Sequence, residues 1–99
     1  MTIHELKCWI EPFEAIVSGV KTFEYRRSDR DFNAGDVLHL REFQPKIRPI
    51  EKWGYTGREH YVRVTYIMRE GFGLPLEYCI MSIVNLTPDE MKTIKKDES

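Results

Sequence analysis

The sequence predicts an α+β domain: a small, curled, mainly antiparallel sheet with one helix after the first strand and a short C-terminal helix. Three observations predict it. Five short segments carry strand-type residues, most of them alternating side chains with a period of two. Between the first two lies Pro12–Ser18, where Phe13, Ile16 and Val17 fall on one face of a helix. Near the C-terminal end, Thr87-Pro88-Asp89-Glu90 has the layout of a helix start.

Ile3–Trp9 reads as the first strand, with His4, Leu6 and Cys8 on one face. Pro12 is tolerated in a first helical turn, and Gly19 is placed to end the helix. Thr22–Arg26 is the second strand, with Phe23 and Tyr25 on one side and Thr22, Glu24 and Arg26 on the other. Asn33-Ala34-Gly35-Asp36 forms a turn, and Val37–Phe43 the third strand. Gln44–Gly57, with Pro45, Pro49, Gly54 and Gly57 and no clear period, reads as a long loop of the functional or mobile kind. The fourth strand, Tyr61–Arg69, sets Val62, Val64, Tyr66 and Met68 on one face. Gly71–Pro75 ends it, and Tyr78–Leu86 is apolar on both faces, as for a strand covered on both sides. Thr87 caps a last short helix reaching about Lys96, followed by a polar tail. Curling into a barrel suits this order, because a small open sheet has two edges that invite aggregation.

A length of 99 residues suits a single domain over residues 1–99. A 41% hydrophobic and 12% aromatic content argues against disorder. No apolar run approaches the roughly 20 residues of a membrane span, and Met1–Lys7 lacks the layout of a signal peptide. Cys8 and Cys79 read as two buried thiols in a reducing compartment, so a cytoplasmic location is expected. The net charge of −1 hides a basic middle: eleven Lys/Arg against seven Asp/Glu between Lys21 and Arg69. That permits a face toward phosphate, with a solvated charged surface as the plain alternative.

His4, His39 and His60 have no zinc-type spacing to each other or to the cysteines, so no metal and no cofactor is expected. Each reads as a strand residue with an ordinary hydrogen bond. No phosphate-binding Gly-rich loop or G-x-S-x-G elbow is present. The remaining chemistry sits at the helix-to-strand corner Gly19–Arg26. There Lys21 stands at the mouth of the turn, and Glu24 and Arg26, two apart on a strand, share a face. Together they could grip a base edge, a phosphate or a small polar ligand. The alternative is an exposed strand face whose Glu–Arg pair contributes little.

The pattern Gly19-x-Lys21-x-x-Glu24-x-Arg26 after a short amphipathic helix resembles the G-x-K-x-x-E-x-R signature of ASCH domains, in the PUA-like superfamily of small β-barrels. Further blocks are similar to the DUF3850 branch: His4–Trp9, Arg30-Asp31-Phe32 with Gly35-Asp36, Tyr55–Arg58, Arg63–Ile67, Gly71–Leu74 and Ser82-Ile83. The resemblance covers about residues 4–84. It implies a PUA-like barrel with a cleft beside the first helix, lined by the signature residues, and a role in binding RNA or a nucleotide-like ligand.

In that role Lys7, Lys21, Thr22, Arg26, Arg30 and Arg58 are the polar candidates, with Glu24 accepting from a base amino group. Trp53 and Tyr55, in the polar loop, are the stacking candidates, whereas Trp9 is expected to pack against the helix. A second reading is enzymatic. Some ASCH relatives resemble amidohydrolases acting on N4-acetylcytidine, with a lysine and a threonine nucleophile three residues later. Lys21 matches the lysine, but Glu24 stands where the threonine would be, and a carboxylate does not replace an ester-forming hydroxyl. Hydrolysis with Glu24 as general base and Lys21 polarising a carbonyl is the form left open.

Overall fold

The computed structural model describes residues 1–45 and 54–98. Five strands and two helices follow one another as β1 (Ile3–Trp9), α1 (Ile10–Val17), β2 (Phe23–Arg27), β3 (Val37–Gln44), β4 (Gly54–Met68), β5 (Tyr78–Asn85) and α2 (Pro88–Glu98). The strands form one sheet in the order β1-β3-β4-β5-β2. Three of the four pairings are antiparallel and β1 with β3 is parallel. The sheet curls into a half-barrel, a small α+β fold in agreement with the expected architecture.

The period-two pattern of β1 sends His4, Leu6 and Cys8 inward, as predicted. They meet Leu38 and Leu40 from β3, Val62 and Val64 from β4, and Cys79, Met81 and Ile83 from β5. Phe13 and Ile16 of α1 close this core, while Val17 is left part-exposed at the rim. β2 differs from every other strand: its only buried residue is Glu24.

Three expectations are corrected. A bulge between Val64 and Tyr66 shifts the register of β4 against β5, so an extra residue turns the alternation over. Tyr66 is therefore 62% exposed, and Ile67 packs on the core instead. β5 is covered on one face only, with Ser82 and Val84 exposed, because a single curled sheet has one interior. Part of the predicted Gln44–Gly57 loop is strand: β3 includes Gln44 and β4 begins at Gly54, where Gln44 pairs with Gly54 and Phe43 with Tyr55.

α2 begins as its sequence indicates. The Glu90 amide donates to Thr87 Oγ1 at 3.2 Å, and the Thr87 amide donates to Glu90 Oε1 at 3.0 Å. Ile94 and Leu86 then bury against Val37 and Tyr61 in a second small cluster. No helix among the described residues is long and apolar enough to cross a membrane.

Each histidine has an ordinary partner. His39 bonds Glu59 at 3.0 Å and His60 bonds Asn85 at 2.8 Å. The buried His4 Nε2 donates to Asp36 Oδ2 at 2.9 Å, while its ring lies 4.7 Å from that of Phe32. Asp36 also accepts the backbone amides of Thr2 (3.1 Å) and Asn33 (3.0 Å), tying the start of β1 to the turn before β3. Burial alone would raise the Asp36 carboxyl. The hydrogen bonds from His4, Thr2 and Asn33 outweigh it and hold the group below its usual value.

A folded-state value below the unfolded one means that Asp36 stabilises the fold above the ordinary aspartate range. That contribution is lost as pH falls through the folded-state value. Asp36→Asn should lower stability in urea by about 1–3 kcal/mol at neutral pH. The gap between variant and parent should narrow as the solution is acidified. A gap constant from pH 7 to pH 2 would show that the Asp36 charge does not contribute.

Candidate functional site

The site is built on the two edge strands of the sheet, β1 and β2, each paired on one side only. Glycine makes the approach to it possible. At Gly19 the backbone reaches φ +84, a left-handed conformation natural to glycine, and its amide closes α1 on the Ile16 carbonyl at 3.0 Å. The Lys21 amide then bonds back to the Ala15 carbonyl at 2.9 Å, so Lys21 is held at the corner before β2 begins.

From that corner Lys21 Nζ donates to Glu24 Oε1 at 2.6 Å. Arg26 Nε donates to Glu24 Oε2 at 2.7 Å, and Arg26 Nη2 donates to the Lys7 carbonyl of β1 at 2.8 Å. Glu24 is 2% exposed. The expected alternative, an exposed strand face with a weak Glu–Arg pair, therefore does not hold. Because the β2 face carrying Glu24 turns into the half-barrel, a cation occupies each carboxylate oxygen.

A cleft of about 290 Å³ opens over this triad, near the lower end of the roughly 300–1,000 Å³ usual for small-molecule sites. β1 lines it with Lys7, Cys8 and Trp9, and α1 with Pro12. Lys21 and, from β2, Glu24, Tyr25 and Arg26 complete the lining. Three cations thus face one carboxylate, a surface that donates hydrogen bonds around a single strong acceptor. Burial, reinforced by the Glu24 charge, pushes the Cys8 thiol up to about 11. It stays protonated at neutral pH and is no nucleophile.

The structure gathers Lys7, Lys21, Glu24 and Arg26 from the predicted set. Arg30 lines a neighbouring cleft. Three candidates lie elsewhere. Thr22 is exposed just before β2 and outside the cleft lining, and its carbonyl accepts the Ile83 amide. Tyr55 of β4 lies against β3, its ring centroid 3.9 Å from the Arg41 guanidinium and its edge contact made with Phe43. Arg58 pairs with Glu14 of α1 and, at 3.4 Å, with Glu42 of β3, pinning the helix to the sheet. Trp53 lies outside the described residues.

Trp9 departs from the expected placement in the other direction. It precedes α1 at its N-cap and remains 56% exposed on the cleft rim rather than packed against the helix. Tyr25, opposite on β2, is also about half exposed and stacks on Tyr78 at 5.3 Å. Period-two alternation already puts Trp9 on the face of β1 opposite His4, Leu6 and Cys8, whereas nothing comparable marks Tyr25 as outward. Among the described residues, no three His, Cys, Asp or Glu side chains converge to hold a metal ion.

Removing one partner of a buried ion pair costs about 3–5 kcal/mol, whereas replacing the whole pair with apolar groups is often neutral. Arg26→Ala should therefore lower stability in urea by about that amount, since it also frees the Lys7 carbonyl. The double change Glu24→Leu, Arg26→Met should recover most of the loss. Equal loss in both variants would mean that the pair itself, and not its imbalance, sustains the fold.

Comparison with known proteins agrees with this reading of the chain only as far as family. Over 63 residues, 64% of its length, the chain is 33% identical to the uncharacterized 12.9 kDa protein in the GpA 3′ region of Escherichia phage P2. The matched segment spans about half (51%) of the length of that relative. Residues 3–83, which hold all five strands except the end of β5 together with the whole cleft, match the domain of unknown function DUF3850. The protein belongs to the DUF3850 family.

Proposed function

We propose that this domain is a cytoplasmic RNA- or nucleotide-binding module of the ASCH type, its half-barrel a variant of the PUA-like barrel, and that it takes one base into the cleft between β1 and β2. The observation that carries the reading is Glu24, a buried carboxylate held by Lys21 and Arg26 at a cleft with aromatic rims. A carboxylate accepts from an exocyclic amino group, while the ammonium and guanidinium donate to the acceptors beside it. Trp9 and Tyr25 offer faces on which an unpaired base can stack. The size of the cleft suits a single base with its sugar better than a duplex.

Fluorescence anisotropy with labelled single-stranded RNA and calorimetry with free nucleosides test it. Cytidine should bind more tightly than uridine, which lacks the amino group. RNA affinity should fall steeply with salt as counterions are released. Lys21→Ala should weaken both ligands by about tenfold, the equivalent of one charge-assisted hydrogen bond. Affinities identical in the parent, Lys21→Ala and Glu24→Gln proteins would remove the cleft from consideration.

A hydrolase reading draws on the same 2.6 Å contact between Lys21 and Glu24. With Thr22 exposed and outside the cleft lining, an acyl-enzyme route of the acetylcytidine type has no hydroxyl at the required place. Purified protein should therefore release no cytidine from N4-acetylcytidine. Turnover abolished by Glu24→Gln but not by Thr22→Ala would replace the binding module with a general-base hydrolase.

A further inference from the structure

Beside the base cleft lies a second one, of about 270 Å³, and Lys7 and Arg26 line both. Leu6 and Phe32 give it an apolar side, and Arg27, Asp29 and Arg30 complete it. Four cations with a single carboxylate is an unusual balance for this protein. Elsewhere among the described residues, Arg41 pairs with Glu5, Arg58 with Glu14 and Glu42, and Arg63 with Glu90, while Arg69 donates to the Phe32 carbonyl at 2.6 Å. In the second cleft, Arg27 interacts with Tyr78 and has no ion pair among the described residues. Among those same residues Arg30 donates no hydrogen bond and joins no ion pair. Lys7 sits only over the Phe43 ring, at 4.1 Å. The unpaired positive charge of this face is thus collected in one concavity.

We infer that the second cleft is a phosphate subsite of the base-binding cleft, so that the ligand is a nucleotide rather than a nucleoside. The inference rests on the base-binding reading and adds the ligand's charge to it. Glu24 makes the first cleft unsuited to a phosphate, because a carboxylate repels it. The second has arginines, whose planar fork matches phosphate oxygens. A nucleotide carries its phosphate one sugar away from its base. Lys7 and Arg26, common to both clefts, stand where that sugar crosses from one to the other.

Calorimetry in a phosphate-free buffer at low salt, with cytidine, cytidine 5′-monophosphate and the dinucleotide CpC, tests this. The monophosphate should bind at least about tenfold more tightly than cytidine, and added salt should shrink that ratio. In Arg30→Glu the ratio should fall to about one, with Arg30→Ala intermediate. Both should melt near the parent temperature, because Arg30 is exposed. A CpC affinity at or above that of the monophosphate marks a phosphate within an RNA chain, and a lower one marks a free nucleotide; either supports the subsite. If cytidine binds and the monophosphate binds no better, or if the ratio is untouched by Arg30→Glu, the phosphate subsite is overturned while the base cleft stands. If none of the three ligands binds, both readings fall.

Discussion

The curl of the sheet stops short of closure, and the Arg26 side chain spans the gap that remains. β1 and β2 are the two edges of a five-stranded sheet, and no backbone ladder joins them. An edge carbonyl facing such a gap needs a donor, and Arg26 supplies it to Lys7. A guanidinium reaching across has many other rotamers open to it, and Glu24 selects this one by accepting from Nε. Glu24 is itself tolerable in the interior only because Lys21 holds its other oxygen. Each member of the triad thus depends on the other two.

That mutual dependence explains why a structural device and a candidate binding surface coincide. Bridging by side chains rather than by a sixth strand leaves space around them, and the space is the cleft. β2 gives up an apolar contribution to the core for this purpose: its one buried residue is a carboxylate, whereas each other strand also buries apolar side chains. The helix completes the arrangement. Phe13 and Ile16 anchor α1 on the core, and Arg58 clips it to β3 from the far side, leaving Pro12 and the Trp9 ring at the cleft. Arg58 and Tyr55 support the site from a distance, since neither lines the cleft.

The electrostatics separate the two concavities by chemistry. In one, Lys21 and Arg26 are committed to the buried Glu24; the other adds Arg27 and Arg30, which have no carboxylate partner among the described residues. Elsewhere on the described surface Arg41, Arg58 and Arg63 each sit within ion-pair distance of a glutamate. A chain with a net charge of −1 can therefore present a locally positive groove, which its overall balance conceals.

Local pattern was enough for most elements of the fold. Period-two alternation placed β1 over Ile3–Trp9, helical spacing found Phe13 and Ile16, and the Thr87–Glu90 box marked the start of α2. The sequence alone also singled out Glu24 and Arg26, because residues two apart on a strand share a face wherever that strand lies, and Lys21, because the Gly19 turn leaves it at the corner beside them. It could not say whether the face looked inward or outward. Phe23 and Tyr25 are more apolar than Glu24 and Arg26, so local hydrophobicity argues for the opposite orientation to the one observed. That choice, the bulge that turns Tyr66 outward, and the removal of Thr22, Tyr55 and Arg58 from the site were decided only by tertiary structure. The orientation of β2 has its cause in the edge-to-edge gap: the energy of satisfying Glu24, Arg26 and the Lys7 carbonyl together exists only once β1 and β2, distant in the sheet order, are brought together. Tyr66 follows the register of β4 on β5, Tyr55 its pairing with β3, and Arg58 its carboxylates on α1 and β3, none of which is fixed by local sequence.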